Sequence, residues 1–246
     1  MHQIGNTFTI LESVDSTNNY AMAKVHAGLA KHGNAYFTGH QTAGKGQRGK
    51  HWASSKGENI ALSCILQPFM LSLENHFQLS MAVALACYDL INHYTMSETS
   101  IKWPNDIYWR DRKAGGILIE NNIQGEQWIF AVAGIGLNIN QTLFPEELRN
   151  PVSLKQITGR TFDIVEMAKE LCNHLQKRFE TLSSKSMPKL LSDYNSILYK
   201  KGQIVRLAYK NAICETVIKG VNEEGQLIAT GPVDNIFNWG EVEWIS

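Results

Sequence analysis

The stretch KWPNDIYWRDRKAGGILIE, residues 102–120, carries the strongest signal in the chain, and GIGLN at residues 134–138 has the same character. Charged and amide side chains lie here between segments apolar enough to be buried strands. Buried polar groups need partners, so these side chains indicate a bound ligand. Taken singly they have plainer explanations, because Pro-Asn-Asp is good turn chemistry and Lys113 is also typical of a surface lysine at a strand end.

Short strands and amphipathic helices surround this stretch. The apolar pattern predicts strands at Thr7–Leu11, Ala35–Thr38, Ile60–Leu66, Ser100–Trp103, Asp106–Trp109, Gly116–Asn121 and Gln127–Ile135. Apolar residues at helical spacing predict long helices that open at Ser72 and span Asp163–Leu182, with shorter helices after Ser16 and from Pro188.

From Lys201 onward, the spacing of apolar and turn residues predicts short strands joined by turns. These strands are predicted at Ile204–Ala208, Ile213–Val217, Gln226–Ala229 and Glu241–Trp244. A segment of about 45 residues is near the lower limit for independent folding, so we expect a small β-barrel packed on a larger domain. The sequence therefore predicts a main domain over residues 1–198 and a small C-terminal β-barrel domain over residues 199–246.

Composition narrows the class of protein. Basic and acidic residues both number 23 among 246, and this balance argues against a protein whose main role is coating nucleic acid. The four cysteines are widely separated within apolar stretches, which favours buried, reduced thiols over disulfides or zinc. The sequence has no signal-peptide pattern and no apolar run of membrane-spanning length, so we expect a soluble cytoplasmic protein without a membrane partner.

A glycine-rich segment at residues 44–50, here called the basic loop, contains GKGQRG, which formally matches the dinucleotide pattern G-x-G-x-x-G. The segment after it is not a helix start, and no acidic residue follows at the expected spacing of about 20 residues, which argues against a dinucleotide site. Its glycines, with Lys45, Arg48 and Lys50, suit a phosphate or adenylate ligand. A flexible, solvated basic loop explains the same residues equally well.

Five motifs in order resemble the biotin protein ligase family. They are Ser16-Thr17-Asn18, Gln41-Thr42-Ala43-Gly44, Trp52 after the basic loop, Lys102-Trp103-Pro104-Asn105-Asp106, and Gly134-Ile135-Gly136-Leu137-Asn138. The resemblance runs from Ser13 to Asn138. It implies an α+β fold with a mixed β-sheet flanked by helices, and the small C-terminal β-domain fits it.

The resemblance implies an ATP-dependent biotin–[acetyl-CoA-carboxylase] ligase that forms AMP. Biotin, ATP and Mg²⁺ would give biotinyl-5′-AMP, and biotin would then pass to a lysine in the biotin carboxyl carrier domain of a carboxylase. Some members carry an N-terminal helix-turn-helix domain. Here the first motif starts at Ser16, so we expect a monofunctional ligase that does not bind DNA. Which carrier is modified, and whether the protein is a monomer or a homodimer, stay open.

The resemblance also implies a role for individual residues. Lys113 would be catalytic, holding the biotin carboxylate and then the charge that develops at the reacting phosphate. The implied biotin-binding residues are Ser16, Thr17, Asn18, Gln41, Gly44, Lys45, Gly46, Gln47, Lys113, Gly116, Gly134 and Gly136. The implied adenylate-binding residues are Arg48, Lys50, Trp52, Asn105 and Asn138, and Asp106 would contact Mg²⁺ through water.

One departure from the family pattern lies in the basic loop. Many members have arginines at the positions of Lys45 and Gln47, and Gln47 supplies neither a charge nor a guanidinium fork. Either Arg48 or Lys50 replaces the missing arginine, or the adenylate is held less tightly. Our hypothesis is that Arg48 replaces it.

Three other functions compete with this interpretation. A lipoate or octanoate ligase shares the fold, but its typical Arg-Arg run before Gly-Gly-Gly is absent, and the amides of the first motifs suit a ureido ring better than a dithiolane. A nucleic-acid-binding module would use the basic loop and the tryptophans, but the zero net charge argues against it. A non-catalytic biotin sensor would not need Lys113 or the Asn105-Asp106 pair.

Overall fold

The computed structural model describes residues 3–183, 185–210, 212–231 and 235–245, and its largest element is a seven-stranded sheet. The strands are β1 (Thr7–Leu11), β2 (Asn34–Thr38), β3 (Ile60–Leu66), β4 (Thr99–Lys102), β5 (Asp106–Trp109), β6 (Arg112–Gln124) and β7 (Gln127–Leu137). Their order is β1-β2-β3-β7-β6-β5-β4. β1 and β2 are parallel and the other neighbours are antiparallel, so the predicted mixed sheet is confirmed.

Helices cover both faces of this sheet. They are α1 (Thr17–His26), α2 (His76–Thr95), α3 (Leu154–Thr158), α4 (Ile164–Glu180) and α5 (Met187–Ser196). The main core lies between the sheet and the group formed by α2, α4 and α5, whereas α1 packs on β3 and β7 from the opposite side. Side chains alternate along a strand, so Leu62 and Cys64 enter the main core while Ser63 and Ile65 face α1.

The observed elements differ from the predicted ones mainly at their ends. α2 begins at His76 rather than Ser72, because Leu73–Asn75 form a 3-10 turn first. β6 begins at Arg112 rather than Gly116. The Asp163 side chain caps α4 by accepting hydrogen bonds from the backbone N–H groups of residues 165 and 166. The sequence analysis did not anticipate α3.

The C-terminal residues form a second, curled sheet of five antiparallel strands. These are β8 (Ile204–Tyr209), β9 (Ala212–Val221), β10 (Leu227–Thr230), β11 (Asn235–Phe237) and β12 (Val242–Ile245), in the order β11-β10-β9-β8-β12. β11 was not predicted. The sheet is a half-barrel, which fits the predicted small β-domain. It docks on the main body where Trp103 Nε1 donates to Gly225 O at 2.8 Å and Asn195 exchanges hydrogen bonds with Val221.

All four cysteines are free thiols. Cys64, Cys87 and Cys172 are buried free thiols, and Cys214 is partly exposed. Burial raises the pKa of the Cys87 thiol, so this sulfur stays protonated. None of the helices in the described part of the chain combines the length and the apolarity that crossing a bilayer requires.

Candidate active site

A cleft of about 560 Å³ opens on the α1 side of the main sheet, over β6 and β7. Its walls are the start of α1, the basic loop, residues 147–151 and the β12 end of the C-terminal sheet. The predicted residues that line it are Ser16, Thr17, Asn18, Gln41, Lys45, Gly46, Gln47, Arg48, Lys50, Trp52, Asn105, Asp106, Lys113, Gly116, Gly134, Gly136 and Asn138. Gly44 is buried behind the wall, where a Cβ atom would lie 2.6 Å from the Trp52 carbonyl oxygen.

Three glycines, Gly116, Gly134 and Gly136, form what we call the glycine floor. Side chains alternate along β7, so its alanines and Ile135 enter the main core while Gly134 and Gly136 face the cleft. Gly136 pairs directly with Gly116 on β6. A methyl group at Gly134 would collide with the Asn18 amide, and one at Gly136 with the Trp52 indole. The floor therefore has room for a ligand only because these positions lack side chains.

One end of the cleft is a network of neutral polar groups, here called the amide end: Ser16, Thr17, Asn18, Gln41 and Ser63. The Thr17 N–H donates to Gln41 Oε1 at 2.8 Å. Ser63 Oγ lies 2.8 Å from Thr17 Oγ1 and 2.6 Å from Asn18 Oδ1, and its single proton serves one of them at a time. The amide end is thus ordered by its own hydrogen bonds.

Asn18 is also fixed from the side of β6. Its Nδ2 donates to Leu118 O at 3.2 Å and to Glu120 Oε2 at 2.8 Å. Ser16 is the N-cap residue of α1 by backbone position, but its side chain makes no capping hydrogen bond. The Ser16 hydroxyl is therefore available to a ligand in the cleft, next to an amide whose orientation is already set.

Lys113 lies over the glycine floor because of a β-bulge. The register of β5 and β6 shifts between Ile107 and Tyr108, which brings the Lys113 side chain beside Gly116. Lys113 Nζ donates to Asp106 Oδ1 at 2.7 Å, and the two side chains are 33% and 22% exposed. A half-buried cation held in this way suits a reaction in which negative charge develops above the floor.

Amide side chains brace the strands of the floor. Asn105 Nδ2 and Gln47 Nε2 both donate to Ile117 O, at 2.8 and 3.1 Å. Asn138 Nδ2 donates to the Lys113 carbonyl oxygen at 3.3 Å. These NH₂ groups are occupied by backbone, so the adenylate contacts assigned to Asn105 and Asn138 stay predictions.

The basic loop lies over the same part of β6 as the amide end, and its charged side chains make few contacts. Lys45 Nζ lies 3.6 Å from Glu120 Oε1, and the lysine side chain is 44% exposed. Arg48 has a left-handed backbone with φ 56°, and its Nη1 donates to Gly240 O at 3.4 Å. Lys50 is exposed. The positive charges of the loop are therefore mostly solvated, and they can be drawn onto an anion in the cleft.

Trp52 follows the basic loop and lies against the floor. Its ring contacts the position of Gly136, and Lys113 Nζ is 6.0 Å from the ring centroid. The Trp52 Nε1 atom is buried and finds no hydrogen-bond partner within the described residues. An unpaired indole N–H in the wall of a cleft is a ready donor to a ligand atom.

The sequence analysis gave no role to Lys102, which lies in the wall beyond Lys113. Lys102 Nζ donates to Tyr108 Oη at 3.2 Å and lies 4.7, 5.5 and 5.1 Å from the ring centroids of Tyr108, Tyr199 and Trp244. Burial lowers the pKa of Lys102 to about 8. The residue belongs to the stretch that carried the strongest signal, but nothing in the sequence indicated these aromatic neighbours.

Two other segments of the wall were also missed. Residues Glu147, Leu148 and Arg149 reach the cleft from the connection after β7, and residues between Trp239 and Trp244 reach it from the C-terminal sheet. Neither segment contains a motif, so only the folded chain could reveal them. Ser63 is different, because a single hydroxyl in the apolar strand IALSCIL was a visible signal.

Comparison with known proteins shows the family to which this chain belongs. Residues 10–140 match the Biotin/lipoate A/B protein ligase family. Biotin–[acetyl-CoA-carboxylase] ligase of Mycobacterium tuberculosis is 30% identical over 202 residues, covering 80% of this chain and 73% of that protein. Bifunctional ligase/repressor BirA of Bacillus spizizenii is 28% identical over 222 residues, covering 89% of this chain and 68% of that protein. A structure of biotin protein ligase from Aquifex aeolicus in complex with biotin and ATP has a TM-score of 0.82 and 26% identity, and the similarity covers 98% of this chain and 99% of that one.

Proposed function

Because the chain belongs to the biotin/lipoate A/B protein ligase family, we infer that it is an ATP-dependent biotin–[acetyl-CoA-carboxylase] ligase. It activates biotin with ATP to biotinyl-5′-AMP and then transfers biotin to a lysine of the carrier domain of a carboxylase. The observation that carries this inference is the position of Lys113 on the glycine floor, in one cleft with a neutral amide end and a cationic loop. Biotin presents a neutral polar ring, an apolar body and an anionic tail in the same order.

The amide end is assigned to the ureido ring of biotin. That ring has one carbonyl acceptor and two N–H donors, and the amide end supplies hydroxyl and amide groups that can match both kinds. These groups are held in place before the ligand arrives. A dithiolane ring offers no comparable hydrogen bonds, so a lipoate substrate would leave buried polar groups unpaired.

Lys113 is assigned to the adenylation step. A carboxylate oxygen of biotin attacks the α-phosphorus of ATP, the bond to the bridging oxygen breaks, and pyrophosphate leaves with that electron pair. Lys113 Nζ holds the carboxylate and then stabilises the charge on the reacting phosphate. Asp106 positions the ammonium group before the substrates bind.

The second step consumes the adenylate. The carrier lysine, as a free amine, attacks the carbonyl carbon of the mixed anhydride; the bond to the phosphate oxygen breaks, AMP leaves, and the amine loses a proton. The basic loop closes over the adenylate beforehand and keeps water from hydrolysing it. Arg48 takes the place of the arginine that is missing at Gln47.

Mg²⁺ would enter this site with ATP, and it would neutralise part of the charge on the phosphates. Within the residues that the structure describes, no group of three or more His, Cys, Asp or Glu side chains is placed to hold a metal ion. That agrees with the chemistry of Mg²⁺, which is usually held by substrate phosphates, waters and one or two carboxylates. Asp106, next to Lys113 in the cleft, is suited to a water-mediated contact with this ion.

Incorporation of labelled biotin into the carrier domain of acetyl-CoA carboxylase, with ATP and Mg²⁺, tests the proposal. We expect Lys113→Ala to lower the rate by on the order of 100- to 1000-fold, because the developing charge loses its cation. Lys169→Ala removes an exposed lysine on α4 and should label the carrier as the wild type does. Biotin binding without adenylate formation would instead indicate a non-catalytic biotin sensor, and the absence of biotin binding would refute the proposal.

A further inference from the structure

The backbone of Lys113 lies where the main sheet loses its regular pairing. Toward β5 the register shifts, and Ala114 is the extra residue of the bulge. Toward β7 the ladder of β6 ends at Gly115, which pairs with Leu137, so β7 does not pair with Lys113. A residue at a bulge with a strand on only one side needs other backbone partners to be held in one position.

A short segment from outside the sheet supplies these partners. Residues 150–152, here called the brace, form a parallel bridge with Lys113. The Lys113 N–H donates to Asn150 O at 2.7 Å, and the Val152 N–H donates to Lys113 O at 2.9 Å. The brace therefore takes the place of the neighbouring strand that β7 does not provide.

The two ends of the brace differ in how they are held. After the brace the chain is firmly anchored, because Val152 and Leu154 are fully buried in the main core and Asn138 Nδ2 donates to Val152 O at 3.2 Å. Before the brace, residues 147–149 form part of the exposed wall of the cleft. Asn150 is thus the joint between the cleft wall and the anchored segment beside Lys113.

The backbone of Asn150 is left-handed, with φ 45°. Asparagine adopts this conformation more readily than most residues that have a side chain, whereas β-branched residues strongly avoid it. Pro151 in turn disfavours the right-handed α region for the residue before it. A residue that avoids the left-handed region would therefore become extended here, and its carbonyl group would turn away from the Lys113 N–H.

We propose that Asn150 is a positioning residue for Lys113, whose ammonium group it keeps over the glycine floor by holding the brace against the Lys113 backbone. The Asn150 side chain is exposed, so the residue acts through its backbone. The proposal rests on the proposed function and adds to it a residue that does not touch the reacting atoms. If the Lys113 peptide group turned, Nζ would leave its position 2.7 Å from Asp106 Oδ1. A misplacement of about 1 Å can cost on the order of 100-fold in rate.

The test changes the backbone preference of residue 150. Asn150→Val disfavours the left-handed conformation, Asn150→Ala does so more mildly, and Asn150→Gly keeps the conformation while removing the side chain. Met96→Val is the matched control. Met96 is also an exposed residue with a left-handed backbone, φ 60°, but it lies at the end of α2 and does not line the cleft.

Three measurements separate positioning from a general loss of structure. Biotin-dependent exchange of radiolabelled pyrophosphate into ATP reports the adenylation step. Calorimetric titration compares biotin with biotinol, in which a hydroxymethyl group replaces the carboxylate. Because Lys113 is assigned to the carboxylate, the preference for biotin over biotinol reports the position of its ammonium group. Urea unfolding gives the stability of each variant.

We expect Asn150→Val to lower pyrophosphate exchange by about 30-fold and biotin affinity by about fivefold, while biotinol affinity stays within about twofold of wild type. Asn150→Ala should show a smaller loss of the same kind, and Asn150→Gly should keep exchange within about threefold of wild type. Met96→Val should lower the urea midpoint about as much as Asn150→Val and should exchange pyrophosphate as the wild type does.

The proposal is overturned if Asn150→Gly loses as much exchange as Asn150→Val, because the side chain would then be responsible. Equal losses of biotin and biotinol affinity, an equal loss of exchange in Met96→Val, or wild-type exchange in both Asn150→Val and Asn150→Ala would overturn it too. A wild-type protein that forms no adenylate from biotin and ATP would instead overturn the proposed function itself.

Discussion

The amide end and the basic loop line the same cleft and both contact β6 between Ile117 and Glu120, but they differ in burial and in the number of their contacts. Thr17 and Asn18 are 3% exposed and are tied to Gln41, Ser63 and β6 by hydrogen bonds. Lys45 and Arg48 are exposed, and each makes a single long polar contact. A network that is already ordered loses little entropy when its ligand binds, whereas exposed side chains with few contacts must still be ordered.

This difference separates two tasks of the site. The ordered end is suited to selecting biotin, because its polar groups reject any ring that leaves them unpaired. The basic loop is suited to retaining the adenylate, since its solvated cations are available to a phosphate and a loop over the ligand would exclude water. Glu120 touches both ends, with Oε2 accepting from Asn18 and Oε1 lying near Lys45. The comparison predicts that changes at the amide end alter biotin affinity, and that changes in the loop alter the lifetime of the adenylate.

Gly134→Ala gives the largest expected effect of the changes that separate the two ends. Its methyl group would displace the Asn18 amide from a hydrogen-bonded position, so we expect biotin affinity to fall by about 100-fold. Overpacking should also lower the free energy of unfolding by about 1–3 kcal/mol. Calorimetric titration with biotin and urea unfolding measure the two losses.

Gly136→Ala places the same methyl group at a second position of the glycine floor, against a different neighbour. Here the added methyl group meets the Trp52 indole, which lies on an irregular segment and can move aside. We expect the unfolding free energy to fall by less than about 1 kcal/mol, since the displaced ring is not held by a hydrogen bond. Equal losses of stability and biotin affinity in the two variants would mean that the ends of the cleft are equally rigid.

Arg48→Ala tests the basic loop, and we expect an intermediate effect, on the rate at which the adenylate escapes. Removing the guanidinium group should speed escape of biotinyl-5′-AMP by about 10-fold, because one charge-assisted contact to the phosphate is lost. Biotin affinity should stay within about twofold, since the amide end is untouched. Release of the adenylate into a large excess of unlabelled ligand gives the rate. A larger acceleration in Lys50→Ala than in Arg48→Ala would assign the missing arginine's role to Lys50.

Lys45→Met has the smallest expected effect, which is a small change in the free energy of unfolding. The pair with Glu120 spans 3.6 Å and is half-exposed, so its loss should change the free energy of unfolding by less than about 1 kcal/mol. Glu120→Leu removes the same pair but also leaves Asn18 Nδ2 without one of its acceptors, so it should weaken biotin binding as well. If both variants bound biotin equally well, Glu120 would not support the amide end.

The sequence predicted those parts of the site in which neighbouring residues act together. Ser16, Thr17 and Asn18 are consecutive, and Gly134 and Gly136 alternate on one strand, so each group forms a local motif, and the resemblance to the family implied both motifs as parts of the site. The surroundings of Lys102 could not be predicted in this way. Tyr199 and Trp244 are distant in sequence. Tyr199 meets Lys102 because residues 197–199 pair with Ile101 of β4, and Trp244 meets it because β12 of the C-terminal sheet docks beside β4.

The same distinction applies to the fold. Strands β1, β3 and β5 have the predicted bounds, because each is a short, self-contained run of apolar or alternating residues. α3 and β11 were missed, since segments this short contain too few residues for a periodic pattern to stand out. The bulge that turns Lys113 toward the glycine floor was missed as well, because it depends on how β6 pairs with β5.

The sequence by itself therefore determined the order of the longer strands and helices, the resemblance to the family and the polar motifs that line the cleft. Those properties follow from local periodicity, turn chemistry and motifs, which need no partner elsewhere in the chain. Tertiary structure alone decided that hydrogen bonds order the amide end, that the cations of the basic loop have few contacts and that Lys102 lies among aromatic rings. Each of these depends on distances between groups far apart in sequence, and burial and Coulomb attraction are set by those distances.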